Sequence, residues 1–174
     1  MKSLPIACDA NRLRELIEQL ADENPVTRKS ARDELVRLDG HEATRALVAE
    51  LIDPQAHVRW EAAKALAAIA DPIAAHGLTH ALDDDNRDVR WVAAEGLIVL
   101  GKTGLMTLLS GLTKRAQSTA FCQSAHHVLR EMSSLGYADV VAPVLGALAG
   151  PEPGVGAPPA AYCALVVLKQ RANR

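Results

Sequence analysis

The sequence predicts an all-α solenoid, a superhelix of stacked antiparallel helix pairs, on three observations. The first is an internal repeat: "HVRWEAAKALAAI", starting at His57, is answered by "DVRWVAAEGLIVL", starting at Asp88. The second is composition. Of 174 residues 49% are apolar, yet only five are aromatic and Ala and Leu abound, a balance that favours helices packed through small side chains over strands. The third is spacing: apolar residues fall three and four apart on either side of breaks at Asp39-Gly40, Asp71-Pro72 and Gly101 to Gly104, so each unit reads as helix, turn, helix.

Taken in order, residues 9–22 form a cap helix, because Leu13, Leu16, Ile17 and Leu20 sit one repeat length before Thr44, Leu47, Val48 and Leu51 and so resemble the second half of a preceding unit. Repeats follow at about 24–52, 53–82 and 84–113, where "LADENPVTR", "LIDPQAHVR" and "LDDDNRDVR" align without a gap. The alignment brings together Leu20, Leu51 and Leu82, then Asp22, Asp53 and Asp84, then Arg28, Arg59 and Arg90. Further on it matches Leu35, Leu66 and Leu97, then Leu38, Ile69 and Leu100, and finally Leu47, Leu78 and Leu109. The Asp-rich segments supply turn and capping residues ahead of each first helix. The Asp six places before each Arg is expected to pair with it, and the recurring charges to form a ladder between repeats. A fourth unit, about 116–149, is degenerate: Arg115 and Phe121 take the places of the Asp and Arg, while Ala125, Val128 and Met132 keep helical spacing. Residues 150–159 read as a Gly/Pro loop and 160–171 as a final half-unit helix closing the core. A single helix hairpin cannot bury its own apolar stripe, so the units must stack, and the whole chain is one domain.

Several function classes drop out. A formal charge of -2 supplies no field for nucleic acid, although Arg28, Lys29, Arg32, Arg37 and Arg45 make the early part locally basic. No stretch reaches the 18 or so apolar residues of a membrane span. Cys8, Cys122 and Cys163 are odd in number and far apart, which gives no disulfide framework and leads to the expectation of a reducing, cytoplasmic setting. "GLIVLGKT", Gly96 to Thr103, satisfies the letter of a phosphate-binding loop, but four apolar residues fill it and Gly96 aligns with Ala65 in mid-helix, so ATP is not expected. Asp84, Asn86, Asp88 and Glu95 imitate calcium-loop positions with Val89 where the turn needs Gly. His76 with His80, and His126 with His127, lack a third ligand for zinc. No catalytic residue, metal or cofactor is assigned.

"DPQAHVRWEAAKALAAIADPIAAHGLTHAL" resembles a HEAT repeat of the short bacterial, phycobilisome-lyase type, through its Asp-Pro, Val-Arg, Ala-Ala and Leu positions. The likeness is good over residues 24–112. It implies a scaffold for protein interaction, with bilin-lyase-like handling of a chromophore as the alternative. Deoxyhypusine hydroxylase shares the Val-Arg-x-x-Ala-Ala pattern but places His-Glu, its iron ligands, where this chain has Trp60-Glu61 and Trp91-Val92. The HEAT-like alkylpurine DNA glycosylases pair Trp with an acid; Trp91 and Glu95 are similar in kind, but Lys64 stands beside Trp60.

With Val58, Ala62, Leu66 and Ile69 assigned to the core, Trp60 and Lys64 point elsewhere, as do Trp91 and Glu95 one unit on. Stacked helices lie about 8–10 Å apart, which sets the two indoles side by side. The row reads Lys29, Trp60, Trp91, Cys122, and its neighbour Asp33, Lys64, Glu95, His126. Large aromatics flanked by charges are the composition of an interface hot spot. The candidate partner-binding set is therefore Lys29, Trp60, Glu61, Lys64, Trp91, Glu95, Cys122 and His126, and the expected partner is another protein. An enzyme would instead require Glu61, Glu95, Cys122 and His126 to converge on one pocket.

Overall fold

The computed structural model describes residues 10–38 and 40–172, and in them the chain forms ten α-helices and no strand. These are α1 (Ala10–Gln19), α2 (Pro25–Arg37), α3 (His41–Glu50), α4 (Ala56–Ile69), α5 (Ala75–Ala81), α6 (Arg87–Val99), α7 (Gly101–Arg115), α8 (Thr119–Met132), α9 (Ala138–Leu148) and α10 (Pro153–Ala172). A 3₁₀ turn, Pro72–Ala74, leads into α5, and a π-helical turn, Ser133–Tyr137, joins α8 to α9 with Gly136 at φ 96°. The first helices of the units, α2, α4, α6 and α8, stack in one row, called the Val-Arg row after the pair that α4 and α6 carry, and α5, α7 and α10 stack in the row behind. Between the rows Leu16, Leu35, Leu47, Leu66, Leu78, Leu97, Leu109 and Leu129 are fully buried, one or two from each layer. The all-helical solenoid inferred from the repeat is the fold.

The repeating arginine, preceded by Thr27 in the first unit and by Val58 and Val89 in the next two, acts as a clamp on its own turn. Arg28 Nη1 donates to the carbonyls of Asp22 and Glu23 at 2.9 and 3.0 Å, Arg59 Nη1 to those of Asp53 and Pro54 at 2.9 and 3.2 Å, and Arg90 Nη1 to those of Asp84 and Asp85 at 2.8 and 3.2 Å. The repeating Asp folds the same turn from inside: Oδ1 of Asp22, Asp53 and Asp84 each accept the amide two residues on, at 2.7, 2.7 and 2.8 Å. Within a unit, then, Arg binds the backbone of the Asp segment and not its carboxylate. The ladder between units exists where Arg59 grips Asp84 with a two-pronged pair, Nε to Oδ2 at 2.7 Å and Nη2 to Oδ1 at 2.9 Å, with Asp85 as a further acceptor. One unit earlier Arg28 turns instead to Glu61, 3.6 Å away.

The fourth unit is out of step with the others by one position. Asn24, Gln55 and Asn86, which precede α2, α4 and α6, are evenly spaced, whereas Ser118, which caps α8 and accepts the amide of Phe121, comes one place later than that spacing. The extension lies toward the end of α7, after buried Leu109 has kept the register of Leu78. Ala116 and Cys122, rather than Arg115 and Phe121, hold the places of the repeating Asp and Arg. The Cys122 thiol even donates to the carbonyl six places back, that of Ala116, at 3.3 Å, the same bond each arginine makes. Phe121 takes the buried place of Val58 and Val89.

Of the expected loop over 150–159 only residues 150–152 lie outside a helix, because α10 begins at Pro153. Proline suits the first turn of a helix, where its missing N–H has no partner to lose. Further in, Pro158 leaves the Gly154 carbonyl without its helical donor, and Gln117 Nε2 supplies one at 3.2 Å. The length has a packing reason: α10 lies against α7 on one side and α9 on the other. Its Ala157, Ala161, Ala164 and Leu168 are buried, small side chains among them letting it enter closely. The terminal helix closes the core by taking the berth beside α7 that the second helix of unit four was expected to fill.

Where α4 and α6 end, the chain turns through the left-handed region: Ala70 has φ 56° and Gly101, its counterpart in the next unit, φ 55°. That conformation costs an L-residue about 1–2 kcal/mol, whereas glycine adopts it freely. Ala70→Gly is therefore expected to raise the midpoint of thermal unfolding by about 2 °C, net of glycine's greater chain entropy in the unfolded state. A lower midpoint would show that Ala70 is not strained.

Asp84 gives a second test. Burial alone would raise its carboxyl, but the Arg59 guanidinium and the Asn86 amide outweigh burial and hold it below the ordinary carboxylate value. A group depressed in the folded state contributes stability above its unfolded pKa, about 3.9, and loses it as the pH falls through the lower folded value. Asp84→Asn is expected to cost about 2 kcal/mol at pH 7. The gap between wild type and variant in chemical denaturation should close as the pH falls below that window; a gap unchanged across the range would refute the assignment.

Candidate functional site

Trp60 and Trp91 occupy the same place on consecutive helices, and the structure treats them differently. Trp60 is half-buried against the core, with Lys64 Nζ 4.6 Å and the Arg32 guanidinium carbon 5.8 Å from its ring centroid. Both cations lie within cation–π range. Trp91 is 55% exposed, and its indole stacks on His127 with centroids 4.5 Å apart and planes 21° from parallel. His127 Nε2 is in turn 3.0 Å from Glu95 Oε1. Burial of the Ala and Leu stripe on α4 and α6 fixes which way these residues face, since they lie on the remaining arc of each helix.

The two indoles share an open groove of about 660 Å³, walled by Trp60, Lys64 and Ala68 on α4 and by Asp88, Trp91 and Glu95 on α6. Its walls combine aromatic surface with one cation and two acids. A second cleft, about 190 Å³, lies across Trp91 between α6 and α8 and is lined by Arg87, Arg90, Gln123, Ser124 and His127. Trp91 stands on the rim between them.

The other residues of the candidate set are dispersed. Lys29 is exposed and pairs with Asp33 at 2.6 Å inside α2, away from the groove walls. Glu61 is only 4% exposed; Arg32 Nη1 donates to it at 2.5 Å and Arg28 Nε approaches to 3.6 Å, so its charge is taken up in holding α2 to α4. Cys122 and His126 line a separate cleft of about 500 Å³, formed with Gln117, Leu148 and Pro153 between α8 and the start of α10. The extra residue of unit four explains the displacement: Gln123 and His127, not Cys122 and His126, continue the rows of Trp91 and Glu95. Spacing of the helix caps, Asn86 to Ser118, is the sequence signal that carries this shift. Burial, with Asp83 nearby, pushes the Cys122 thiol up, which keeps it protonated at neutral pH.

The literal nucleotide-binding motif is divided by structure. Gly96 is buried inside α6, where an added Cβ would meet Leu78 Cδ1 at 2.9 Å, and Gly101 turns the chain into α7. Gly104 lets α7 pass α6 closely, because a Cβ there would sit 2.0 Å from the Leu97 carbonyl oxygen. These glycines serve helix contact. Asp84 and Asn86 are committed to turn and cap bonds before α6, and Glu95 lies far along that helix. Among the described residues no group of three or more His, Cys, Asp or Glu side chains is placed to hold a metal ion, and no helix is long and apolar enough to cross a membrane. Cys8 and Asp39 lie outside the described residues.

The burial of the two indoles separates their contributions to stability. Trp60→Ala is expected to cost about 2 kcal/mol, through apolar area and the cavity left behind. Trp91→Ala removes an exposed stacking contact and should change stability by less than about 1 kcal/mol. Denaturant unfolding of the two variants checks this, and equal costs would mean that Trp91 is packed as Trp60 is.

Comparison with known proteins bears on the family. No curated protein matches the chain. Among solved structures, the crystal structure of an engineered protein, a Northeast Structural Genomics Consortium target, is similar at 20% identity and a TM-score of 0.44, covering 90% of this chain and 78% of that one. The model of the HEAT repeats family matches residues 13–98, which span the cap helix and the first units up to α6. By that match and the helix pairs it forms, residues 13–98 of the chain are HEAT repeats.

Proposed function

We propose that the protein is an interaction scaffold that binds another protein along the Val-Arg helix row, with Trp91 as the central contact and Trp60, Lys64 and Glu95 beside it. HEAT repeats typically serve as protein-interaction scaffolds. The observation that carries the reading is an exposed indole held in place on the helix row that half-buries Trp60 and buries Phe121: Trp91, 55% exposed and already ordered by stacking on His127, loses little side-chain freedom on binding. Tryptophan at the centre of a patch rimmed by charges is the residue type whose truncation costs most at interfaces. Trp60 is held by Lys64 and Arg32 and serves as the wall against which the partner closes.

The separation of the acids Glu61 and Glu95 from Cys122 and His126 supports binding over chemistry. A chromophore-handling or base-excising role needs an acid placed in one pocket with its base or thiol. Here Glu61 is neutralised by arginines, Glu95 is engaged with His127, and Cys122 and His126 share another cleft.

Site-directed photo-crosslinking tests the reading in the source organism. A photoreactive residue at position 64 in the groove is expected to trap a defined protein, and one at exposed Val26 or Tyr162 is not. The additional change Trp91→Ala should reduce that capture at least tenfold, about 1.4 kcal/mol, while helicity is unchanged. Capture that ignores Trp91 would move the interface off this row.

A further inference from the structure

We infer that the small cleft between α6 and α8 is a carboxylate site, and that it receives an Asp or Glu side chain from an acidic segment of the partner, beside Trp91. The inference rests on the binding reading above and names the chemistry of what is bound.

The ladder of arginines and carboxylates stops short at Arg90. Each repeating arginine commits Nη1 to its own turn and leaves Nε and Nη2 for a carboxylate of the next unit. Arg59 fills them with Asp84, and Arg28 directs Nε at Glu61. Arg90 makes the same two backbone bonds, yet no acidic side chain among the described residues lies within ion-pair distance of it. The reason is in the sequence: at the place of Asp84 the fourth unit has Ala116. The cleft that Arg90 lines is also bordered by Arg87, Trp91, Gln123, Ser124 and His127, with no acid among its walls. Arg87 is exposed and has no ion-pair partner among the described residues. Glu95, an acidic side chain of this face, is taken up by His127. Two guanidinium groups, an amide and the Trp91 indole around about 190 Å³ match one planar carboxylate, which arginine takes in the forked geometry that Arg59 shows one unit earlier; the Ser124 hydroxyl in the wall is spent on the Ala120 carbonyl at 3.0 Å. A carboxylate side chain is favoured over nucleic acid because the adjoining groove presents Asp88 and Glu95, which repel a chain charged at every residue more than one whose carboxylates are spaced apart.

The test uses the full chain and a blocked nonapeptide probe of alternating Glu and Gly, followed by NMR of the Trp91 indole N–H at low salt. Saturable shifts with a dissociation constant on the order of 1 mM are expected, and none with the equivalent Lys-Gly peptide. Arg90→Gln should weaken binding about tenfold. Because Arg90 also braces its turn, Arg87→Glu, at an exposed position with no structural bond, provides an independent variant with the same expected loss. The decisive variant is Ala116→Asp, which restores the missing rung: its carboxylate is expected to occupy Arg90 from within the chain and abolish peptide binding in a folded protein. No saturable shift in wild type overturns the inference, as does peptide binding that survives Ala116→Asp. Tighter binding of a thymidine octanucleotide than of the Glu peptide overturns it in favour of a nucleic-acid surface. If the slot fails while crosslinking still depends on Trp91, the scaffold reading stands without it; if the slot binds but crosslinking ignores Trp91, the scaffold interface is what falls.

Discussion

The guanidinium group of the repeating arginine is the constraint on which the rest of this solenoid depends. A short turn between stacked helices exposes carbonyls that neither helix can satisfy, and a buried carbonyl without a donor is costly. Arg28, Arg59 and Arg90 each reach back to two of those carbonyls from the first turn of their own helix. The Asp Oδ1 then pins the same turn through the amide two places on. With every turn held alike, every Val-Arg helix leaves it in the same direction, and leucines at the same place in successive units meet in one core. The stability of the core is hydrophobic, but its regularity is set by these hydrogen bonds.

The same side chain couples neighbours, and here the repeats are unequal. The Arg59–Asp84 pair is nearly buried on both sides, so its charges are removed from water, a loss offset only through good geometry and further bonds to the backbone. Such a pair discriminates more than it stabilises: it accepts the one stacking angle at which the forked bonds form. Between units three and four the arginine remains but the carboxylate does not, and the packing that follows is different. There α7 is longer, Ser118 bonds Asp83 across the junction, and α10 enters beside α7. The fold is most regular where the ladder is complete and most individual where it is interrupted, next to Trp91.

How much of this was legible in the sequence follows from what periodicity can encode. Leu35, Leu66 and Leu97, or Leu47, Leu78 and Leu109, each report a buried layer, because burial tolerates little but a large aliphatic group. The cap helix was legible for the same reason through Leu16 and Leu20. The helix over 153–159 was not, since Gly154, Pro158 and Pro159 carry local preferences against it and only contact with α7 and α9 overrides them. At the candidate site Trp60 and Trp91 line one groove as their spacing implies, but the next helix brings Gln123 and His127 beside Trp91 in place of Cys122 and His126. Fixed spacing propagates past an insertion without registering it; a capping residue such as Ser118 does register it, because the helix must begin where its first amides are satisfied. Glu61 was misplaced for another reason. Nothing in a single strip of sequence shows that Arg28 and Arg32, on the preceding helix, will cover it.

The exposed tryptophan and the open arginine arise from one departure from the repeat. A regular fourth unit would set an Asp at 116 and an Arg at 122, closing the junction with the same pair that joins units two and three. In its place Ala116 withdraws the carboxylate, Cys122 keeps only the bond to its own turn, and Gln123 and His127 come to face α6. His127 then supports the Trp91 indole from below while Glu95 fixes the imidazole, so an aromatic surface is held rigid without being covered. Rigidity and exposure together are what an interface requires, since ordering a mobile indole would offset part of the free energy of its burial. The departures that interrupt the solenoid's internal ladder are thus the ones that open its surface: an internal bond is omitted, and its arginine is left beside the most exposed aromatic ring on the helix row.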